Sequence, residues 1–418
     1  MPPLTIGRSG TSPWRQVVAS ALAATCIVIL LVLAFTWPTK TSSAKNLPIG
    51  VVGSDDAVSN MERTLNERSP GTFDLVAASD REEAERQIHQ RQTYGAIILS
   101  DSTRPAAPEI LTAPAASPAV SQMLDAMATQ LTAQMEERSL QAQRAQLESV
   151  ASSDSEQAQA AQAQLQLIDV QIAQAQATQV TVTPVVPNLS SDSTGSGLAV
   201  SAFPLVIGGM IGGVLLALSV RGSSRRVVAA LIYASVCALA LGLVLHTWFG
   251  FVGGNFALVV LAFAMSILAT TSFVLGAFAL LGYGGIALGV LVTMFIGNPI
   301  SGASAPWQFI PEPWGAVGQY MVPGASTSLI RSISAFPQAS TAQQWWTLAA
   351  WIGVGLLMGA VGHARSRKTD AGSDDGTVAG DPTNGGSASS EPPSKAEARG
   401  MAESQKDDGN AKAEALAD

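Results

Sequence analysis

The sequence predicts a polytopic α-helical membrane protein of six spans, arranged as one span, an extracytoplasmic α/β domain and five further spans. Three observations lead to this prediction. Residues 198–362 form an apolar block with five formally charged side chains. A separate apolar run lies upstream at 17–37. Residues 38–198, between the two, are mostly polar, with ten Lys or Arg and nineteen Asp or Glu.

The first span is predicted at 17–37. A helix needs about 20 apolar residues to cross the hydrocarbon core of a bilayer. This run has that length and ends at Trp37 and Pro38, an aromatic anchor and a helix breaker. The alternative is a cleaved signal peptide, because residues 42–44 (SSA) resemble a cleavage site. The apolar run is longer than the usual core of roughly 7–15 residues, however, which favours an uncleaved span.

The later spans are predicted at 199–220, 226–247, 251–277, 280–297 and 344–363. Basic residues cluster before the first span, between the second and third, and after the sixth. Under the positive-inside rule all three clusters are cytoplasmic, and six spans is the count that places them together. We therefore expect a multi-pass protein of the cell membrane with cytoplasmic 1–16 and 364–418, and with 38–198 and 298–343 outside.

The segment 38–198 is predicted to be an α/β domain. Apolar runs indicate strands at 47–53, 73–77 and 94–99, with further candidates at 109–112 and 180–186. The stretch 80–92 predicts a helix, because its acidic residues come early and its basic residues late. Residues 118–178 are rich in Gln and Ala and predict two helices joined near 152–155. These form either a stalk or, as the pattern favours, a layer packed on the sheet.

Glycine pairs four residues apart predict close helix packing in the five-span block. The alternative is that glycine is simply common in membrane spans. The candidate packing residues are Gly208, Gly209, Gly212, Gly213, Gly285 and Gly289.

The outer loop 298–343 is rich in Pro, Gly and aromatic residues and nearly uncharged. Short helices are predicted at 313–321 and 325–335. Irregular backbone at membrane depth survives only where protein buries it or where it lines a cavity, so the loop is predicted to be re-entrant and to act as an outer gate. Its two charges, Glu312 and Arg331, either pair or lie exposed. The candidate gate residues are Asn298, Pro299, Ser301, Gly302, Trp307, Glu312, Trp314, Pro323, Gly324 and Arg331.

Several kinds of chemistry are missing from the sequence. No Lys lies between Lys45 and Lys368 and no Gly-Lys dipeptide occurs, so the chain has no phosphate-cradling ATPase loop. The three histidines are far apart, no nucleophile elbow accompanies a triad, and the net charge of −8 argues against nucleic acid as a partner. We predict no catalytic residue, metal or cofactor. The tail 364–418 is expected to be disordered.

A polytopic protein without an ATPase motif or a coupling charge in its spans needs an external source of energy. A separate ATP-binding subunit would supply it. The loop with Arg221, Arg225 and Arg226 is the candidate contact for that subunit, because it joins two spans and carries a cluster of charge. The alternative is that these arginines only set the topology.

The chain resembles the phage-infection-protein-like membrane proteins within the type-2 class of ABC-transporter permeases. The resemblance rests on the architecture of 14–363 and on four phrases. These are IGVVG (49–53), YGAIIL (94–99), GNPISGASAP (297–306) and WQFIPEPWGAVGQYMVPGAS (307–326). It implies a permease in membrane lipid that forms a homodimer, or a heterodimer with a related permease. It also implies a separate cytoplasmic ATPase, usually driving export, that contacts 221–226. The Gln/Ala-rich helix and the acidic tail depart from the family pattern.

Two functions are therefore expected as alternatives. The first is the permease subunit of an ABC-type exporter. The second is a non-transporting cell-envelope protein that acts as a surface receptor or an assembly scaffold. Neither is an enzyme in its own right.

Overall fold

The computed structural model describes residues 42–99, 108–151, 180–303 and 305–374, with seven single positions between 15 and 36. The chain divides into two units, Met1–Ser366 and Arg367–Asp418, and the first is described below. Most of the predicted first span, the second Gln/Ala-rich helix and most of the predicted disordered tail lie outside the described residues.

Five strands form one mixed sheet in the order β2-β1-β3-β4-β5. They lie in the segments where the sequence predicts strands: β1 Leu47–Val52, β2 Phe73–Ala77, β3 Gly95–Ile98, β4 Glu109–Thr112 and β5 Thr181–Pro184. The β1 strand is parallel to both β2 and β3, β4 is antiparallel to β3, and β5 is parallel to β4.

Three helices cover this sheet: α1 Asp55–Arg68, α2 Arg81–His89 and α3 Pro118–Ala151. The chain passes from β1 to β2 through α1 and returns past β1 to β3 through α2. Right-handed crossovers in opposite directions put α1 and α2 on opposite faces. The cores agree with this, since Ile88 of α2 packs in one cluster, while Met61 of α1 and Leu124 of α3 pack in the other.

Four helices among the described residues are long and apolar enough to cross a membrane: Ser196–Ser219, Ser223–Trp248, Phe256–Leu281 and Ala342–Arg365. The first is α4. The second is α5 (Ser223–Gly242) with a π-helical end at Leu243–Trp248, and the third is α6. The fourth is the apolar part of the last helix, which spans Ala342–Asp374. These lie close to the predicted second, third, fourth and sixth spans.

The predicted fifth span, 280–297, differs from the structure. The chain remains helical in α6 to Leu281 and breaks at Gly282, whose φ is +61°. The next helix has eight α-helical residues in α7 (Tyr283–Val290) and seven π-helical residues at Leu291–Gly297. At a rise of about 1.5 Å per residue it falls short of a hydrocarbon core of about 30 Å. The prediction was too long because no apolar pattern marks the break at Gly282.

Two short helices follow, α8 at Trp314–Gln319 and α9 at Val322–Ala335, and the last helix, Ala342–Asp374, is α10. The central element is α6, which is buried along most of its length and packs against α4, α5, α7 and α9. Large apolar side chains on α5 and α10, such as Leu231 and Leu357, are exposed. Exposed apolar faces on long helices are typical of contact with lipid.

Candidate functional site

The loop between α4 and α5 presents two of the three predicted arginines to solvent. Gly222 has a φ of +95° and lets the chain turn sharply after α4. Arg221 and Arg225 are exposed on either side of it. Their charges are therefore available to another protein or to lipid headgroups.

Arg226 has a different role from its two neighbours. Its Nε donates to the carbonyl of Val220 over 2.7 Å and its Nη2 to that of Ala217 over 3.2 Å. The guanidinium lies 4.9 Å from the ring centre of Phe278 on α6. Arg226 thus satisfies carbonyls at the end of α4, which have no partner within the helix, and ties α4 to α6.

The predicted packing glycines lie where helices approach one another. A Cβ at Gly209 or Gly213 of α4 would lie 2.6 Å from the Cβ of Thr270 or 2.7 Å from that of Val274 on α6. A Cβ at Gly212 would overlap the ring of Tyr233 on α5. On α7, a Cβ at Gly285 would overlap the carbonyl of Ala277, and one at Gly289 would lie 2.9 Å from Cγ2 of Val274. Gly208 has only ordinary contacts, the nearest at 3.9 Å.

The segment between α7 and α10 folds back on itself. A Cβ at Gly318 of α8 would overlap the carbonyl of Ile300, and one at Gly324 of α9 would overlap that of Gly318. Helix α9 is buried along most of its length, with Leu329 packed among residues of α6 and α10. A helix buried in this way meets the condition for irregular chain at membrane depth.

The predicted gate residues occupy several positions in this segment. Two hydrogen bonds stabilise the turn at residues 298–302. Ser301 donates from Oγ to the carbonyl of Asn298 over 2.7 Å, and the side chain of Gln319 donates to the carbonyl of Ser301 over 2.9 Å. Gly302 has a φ of +70°. Pro299 is half-buried next to this turn, Trp307 and Trp314 are exposed, and Pro323 and Gly324 are buried at the start of α9.

Glu312 and Arg331 do not pair. Among the described residues Glu312 accepts from the side-chain amide of Asn46 over 3.2 Å, and Arg331 donates to the carbonyl of Ala303 over 3.1 Å. The two side chains serve different contacts because Glu312 lies near the start of the α/β domain, whereas Arg331 lies inside α9.

Hydrogen bonds join the α/β domain to the segment between α7 and α10. The amides of Ser43 and Lys45 donate to the carbonyls of Phe309 and Gln308 over 3.2 and 3.3 Å. The Tyr94 hydroxyl donates to Oε1 of Gln308 over 3.0 Å.

Arg91 makes the deepest of these connections. It follows α2 with a φ of +58°, and its Nη1 donates to Oγ of Ser332 over 2.7 Å and to the carbonyl of Ser328 over 3.0 Å. Its guanidinium also lies 5.6 Å from the ring centre of Phe336, which packs in the core of the α/β domain. Arg91 therefore couples the sheet domain to α9.

Between the α/β domain and the segment between α7 and α10 lies a polar cavity of about 510 Å³. Its walls come from the loop after α2, from α8 and α9, and from the first turn of α10. Most of its lining side chains are amides and hydroxyls, and among the described residues Arg91 is the one charged side chain in the lining. A second cavity of about 500 Å³ is largely apolar and lies among α5, α6 and α10, next to Arg226.

Sequence reasoning missed Arg91, Tyr94 and Phe336. Arg91 lies in a run of Gln and Arg at the end of a helix, a pattern that predicts a solvent-exposed charge. Tyr94 begins a strand, and Phe336 ends a short helix far along the chain. None of the three carries a pattern that identifies its distant partner.

The apolar helices around a buried α6, with a loop of exposed arginines, define an integral membrane protein. Residues 16–227, half of the chain, match the ABC-2 family transporter protein, and the chain belongs to this family. It is a transmembrane permease of the ABC-transporter class. The matched region contains the Arg221–Arg226 loop and ends before α6 and all the elements that follow it. No curated protein and no solved structure matches the chain.

Proposed function

We propose that this chain is the membrane subunit of an ABC-type exporter that works as a dimer and is energised by a separate cytoplasmic ATPase. The family supports the permease class, and the exposed pair Arg221 and Arg225 supports an ATPase contact at this loop. The phage-infection-protein-like phrases support a place near that group. The outer cavity and the re-entrant segment would then form the exit side of the path.

The ATPase contact is tested by purifying the tagged full-length chain from its native membranes. We expect a co-purified subunit that contains a phosphate-cradling motif and hydrolyses ATP. Replacing Arg221 and Arg225 together by Ala should reduce the bound ATPase activity at least tenfold. The matched control replaces Arg68 and Arg86, two exposed arginines of the α/β domain, and should leave it unchanged. Equal co-purified ATPase activity in both double variants would show that Arg221 and Arg225 do not contact the ATPase.

The proposed sidedness has its own test. In a background without Cys26 and Cys237, a cysteine at Glu67 of α1 should react with a membrane-impermeant maleimide in intact cells. A cysteine at Ser224 should react only after permeabilisation. Both positions are exposed, so access across the membrane determines the reaction. The reverse pattern would place the α/β domain inside the cell.

The alternative hypothesis is a non-transporting receptor or scaffold, and the same tests can favour it. It is favoured if no ATPase accompanies the chain and deletion of the α/β domain alone reproduces the phenotype of the full deletion.

A further inference from the structure

The polar cavity between the α/β domain and α9 has features of a ligand site rather than of a packing defect. Its volume of about 510 Å³ lies within the range of roughly 300–1,000 Å³ that ligand pockets occupy. Packing voids inside proteins are usually smaller and apolar. This cavity is lined instead by side chains that both donate and accept hydrogen bonds, including Gln90, Gln319, Gln343 and Ser340.

Two residues that line the cavity also carry polar atoms without protein partners. Oγ1 of Thr93 and Oε1 of Gln344 are buried and have no hydrogen-bond partner among the described residues. Thr93 is 2% exposed. Such atoms cost free energy unless something bonds to them. An amide oxygen accepts from a donor, so an occupant that carries hydroxyl or N–H groups can satisfy it.

The charge of the cavity selects an anion. Arg91 uses Nη1 for its bonds to α9, and its Nε and Nη2 have no partner among the described residues. Burial lowers the pKa of Arg91, but an arginine stays charged at neutral pH. No carboxylate of the described residues lines the cavity. Two N–H groups on one edge of a guanidinium match a carboxylate or phosphate group.

Aromatic side chains add a third requirement. Trp307 and Tyr320 line the cavity and are 37% and 61% exposed, so they lie at its opening. A flat ring can cover the face of a ligand ring there. Donors and acceptors along the walls, one cation and aromatic faces at the opening together fit a hydroxyl-rich ring that carries an acidic group.

We propose that this cavity binds an anionic saccharide, with its acidic group on Arg91 and its hydroxyl groups on Thr93 and Gln344. The inference rests on the proposed function in one respect: the site lies outside the cell only if the proposed sidedness is correct. The saccharide is either cargo or a cell-envelope component that the outer domain recognises, and both sources share the same chemistry.

The test is calorimetric titration of the purified full-length chain. The probes are the hyaluronan disaccharide, which carries one carboxylate, and N,N′-diacetylchitobiose (chitobiose below), a neutral disaccharide of similar size. We expect the charged disaccharide to bind at least tenfold more tightly. Equal affinity for the two, or no heat with either, would overturn the proposal. Inorganic phosphate or N-acetyl-trialanine binding as tightly as the charged disaccharide would replace saccharide recognition by a simple anion or peptide site.

Gln344→Glu is the informative variant. It keeps the shape of the side chain, adds a carboxylate to the cavity and lies in the first turn of α10, where negative charge is tolerated. It should weaken the charged disaccharide tenfold or more and change the affinity for chitobiose by less, because a carboxylate at this position repels the acidic group but still accepts from a hydroxyl. Gln338→Glu adds the same charge at an exposed position outside the lining and is the matched control. Equal weakening by both variants would contradict a local site.

Failure of this proposal is distinguishable from failure of the proposed function. If the ATPase co-purifies and no saccharide binds, only the ligand assignment is lost. If the charged disaccharide binds and no ATPase is found, the site stands as part of a receptor. Because the purified chain is accessible from both sides, neither result depends on topology. In intact cells, Gln92→Cys should react with the impermeant maleimide, and the charged disaccharide should slow this reaction, only if the site is outside.

Discussion

Arg91 of the α/β domain donates a hydrogen bond of 2.7 Å to Ser332 on α9. The two residues are 241 positions apart in the chain. The bond therefore links the domain inserted after the first predicted span to the helix that precedes the last. A change in the position of either element must break this contact or move the other element.

We predict that Arg91→Ala loosens α9 and lowers the stability of the chain. Hydrogen bonds from a charged group are worth about 1.5–3 kcal/mol. Alanine is no better suited than arginine to the left-handed backbone at this position, so relief of strain should not mask the loss. Hydrogen exchange of the α9 amides should increase, and the thermal midpoint should fall. Arg86→Ala, on the exposed face of α2, is the control and should change neither. Unchanged exchange in α9 would show that Arg91 does not hold it.

We predict that Gly209→Ala destabilises the contact of α4 with α6. The added Cβ would lie 2.6 Å from the Cβ of Thr270. Overpacking of this kind costs about 1–3 kcal/mol. Gly359→Ala on α10 is the control, because none of the described residues lies within 4 Å of its Cβ position. Thermal unfolding in detergent should separate the two variants. If both behave alike, the close approach of α4 and α6 is absent in the protein.

We predict that substitution of Arg226 mainly lowers stability, whereas substitution of Arg221 mainly weakens binding of the ATPase. Arg226→Ala removes two bonds to the end of α4 and should cost about 1.5–3 kcal/mol of stability. Arg221→Ala should leave thermal stability within about 0.5 kcal/mol, as expected for an exposed side chain. ATPase co-purification should show the opposite ranking among samples that remain folded. A loss of stability in Arg221→Ala equal to that in Arg226→Ala would contradict these roles.

We predict that acid weakens the α/β domain through Glu109. Its carboxylate accepts two hydrogen bonds from Arg81, each of 3.1 Å, and one from Thr183. The hydrogen bonds from Arg81 are the largest cause that lowers the pKa of Glu109 below its usual 4.5. A lowered folded-state pKa means that this stabilisation is complete above pH 4.5 and is lost as pH falls through the folded value.

Circular dichroism at a series of pH values measures this dependence. Glu109→Gln should reduce the fall of the thermal midpoint below pH 4.5. Glu67→Gln, at an exposed position on α1, should retain the fall seen in the parent chain. A parent-like slope in Glu109→Gln would assign the acid sensitivity to other carboxylates.

The elements predicted best are those that one local pattern defines. The strand β1 is a run of apolar residues between polar ones. Asp80 caps the N-terminus of α2, and its side chain accepts from the backbone amide of Glu83 over 2.7 Å. The arginine cluster and the small helices α8 and α9 were also visible locally. Residues such as Arg226 were located correctly, but their individual roles depend on distances across the fold that no single-sequence pattern contains.

The failures share one physical cause. The break at Gly282 depends on a positive φ that glycine permits but that its presence alone does not predict, and the cavity depends on segments brought together from three parts of the chain. For Glu312 and Arg331, the two charges of one loop, the sequence leaves open whether they pair or lie exposed. Each instead bonds to a nearer polar group, which a sequence cannot rank by distance.

The position of Phe336 bears on how the protein is made. Its ring is 1% exposed and fills the core of a sheet whose last strand ends at Pro184. The ribosome therefore completes the sheet long before it supplies this part of its interior. We expect the α/β domain to remain incompletely packed until synthesis has passed α9, so that its final folding step coincides with insertion of the last helix. A fragment that ends at residue 198 would lack that step and expose an apolar gap.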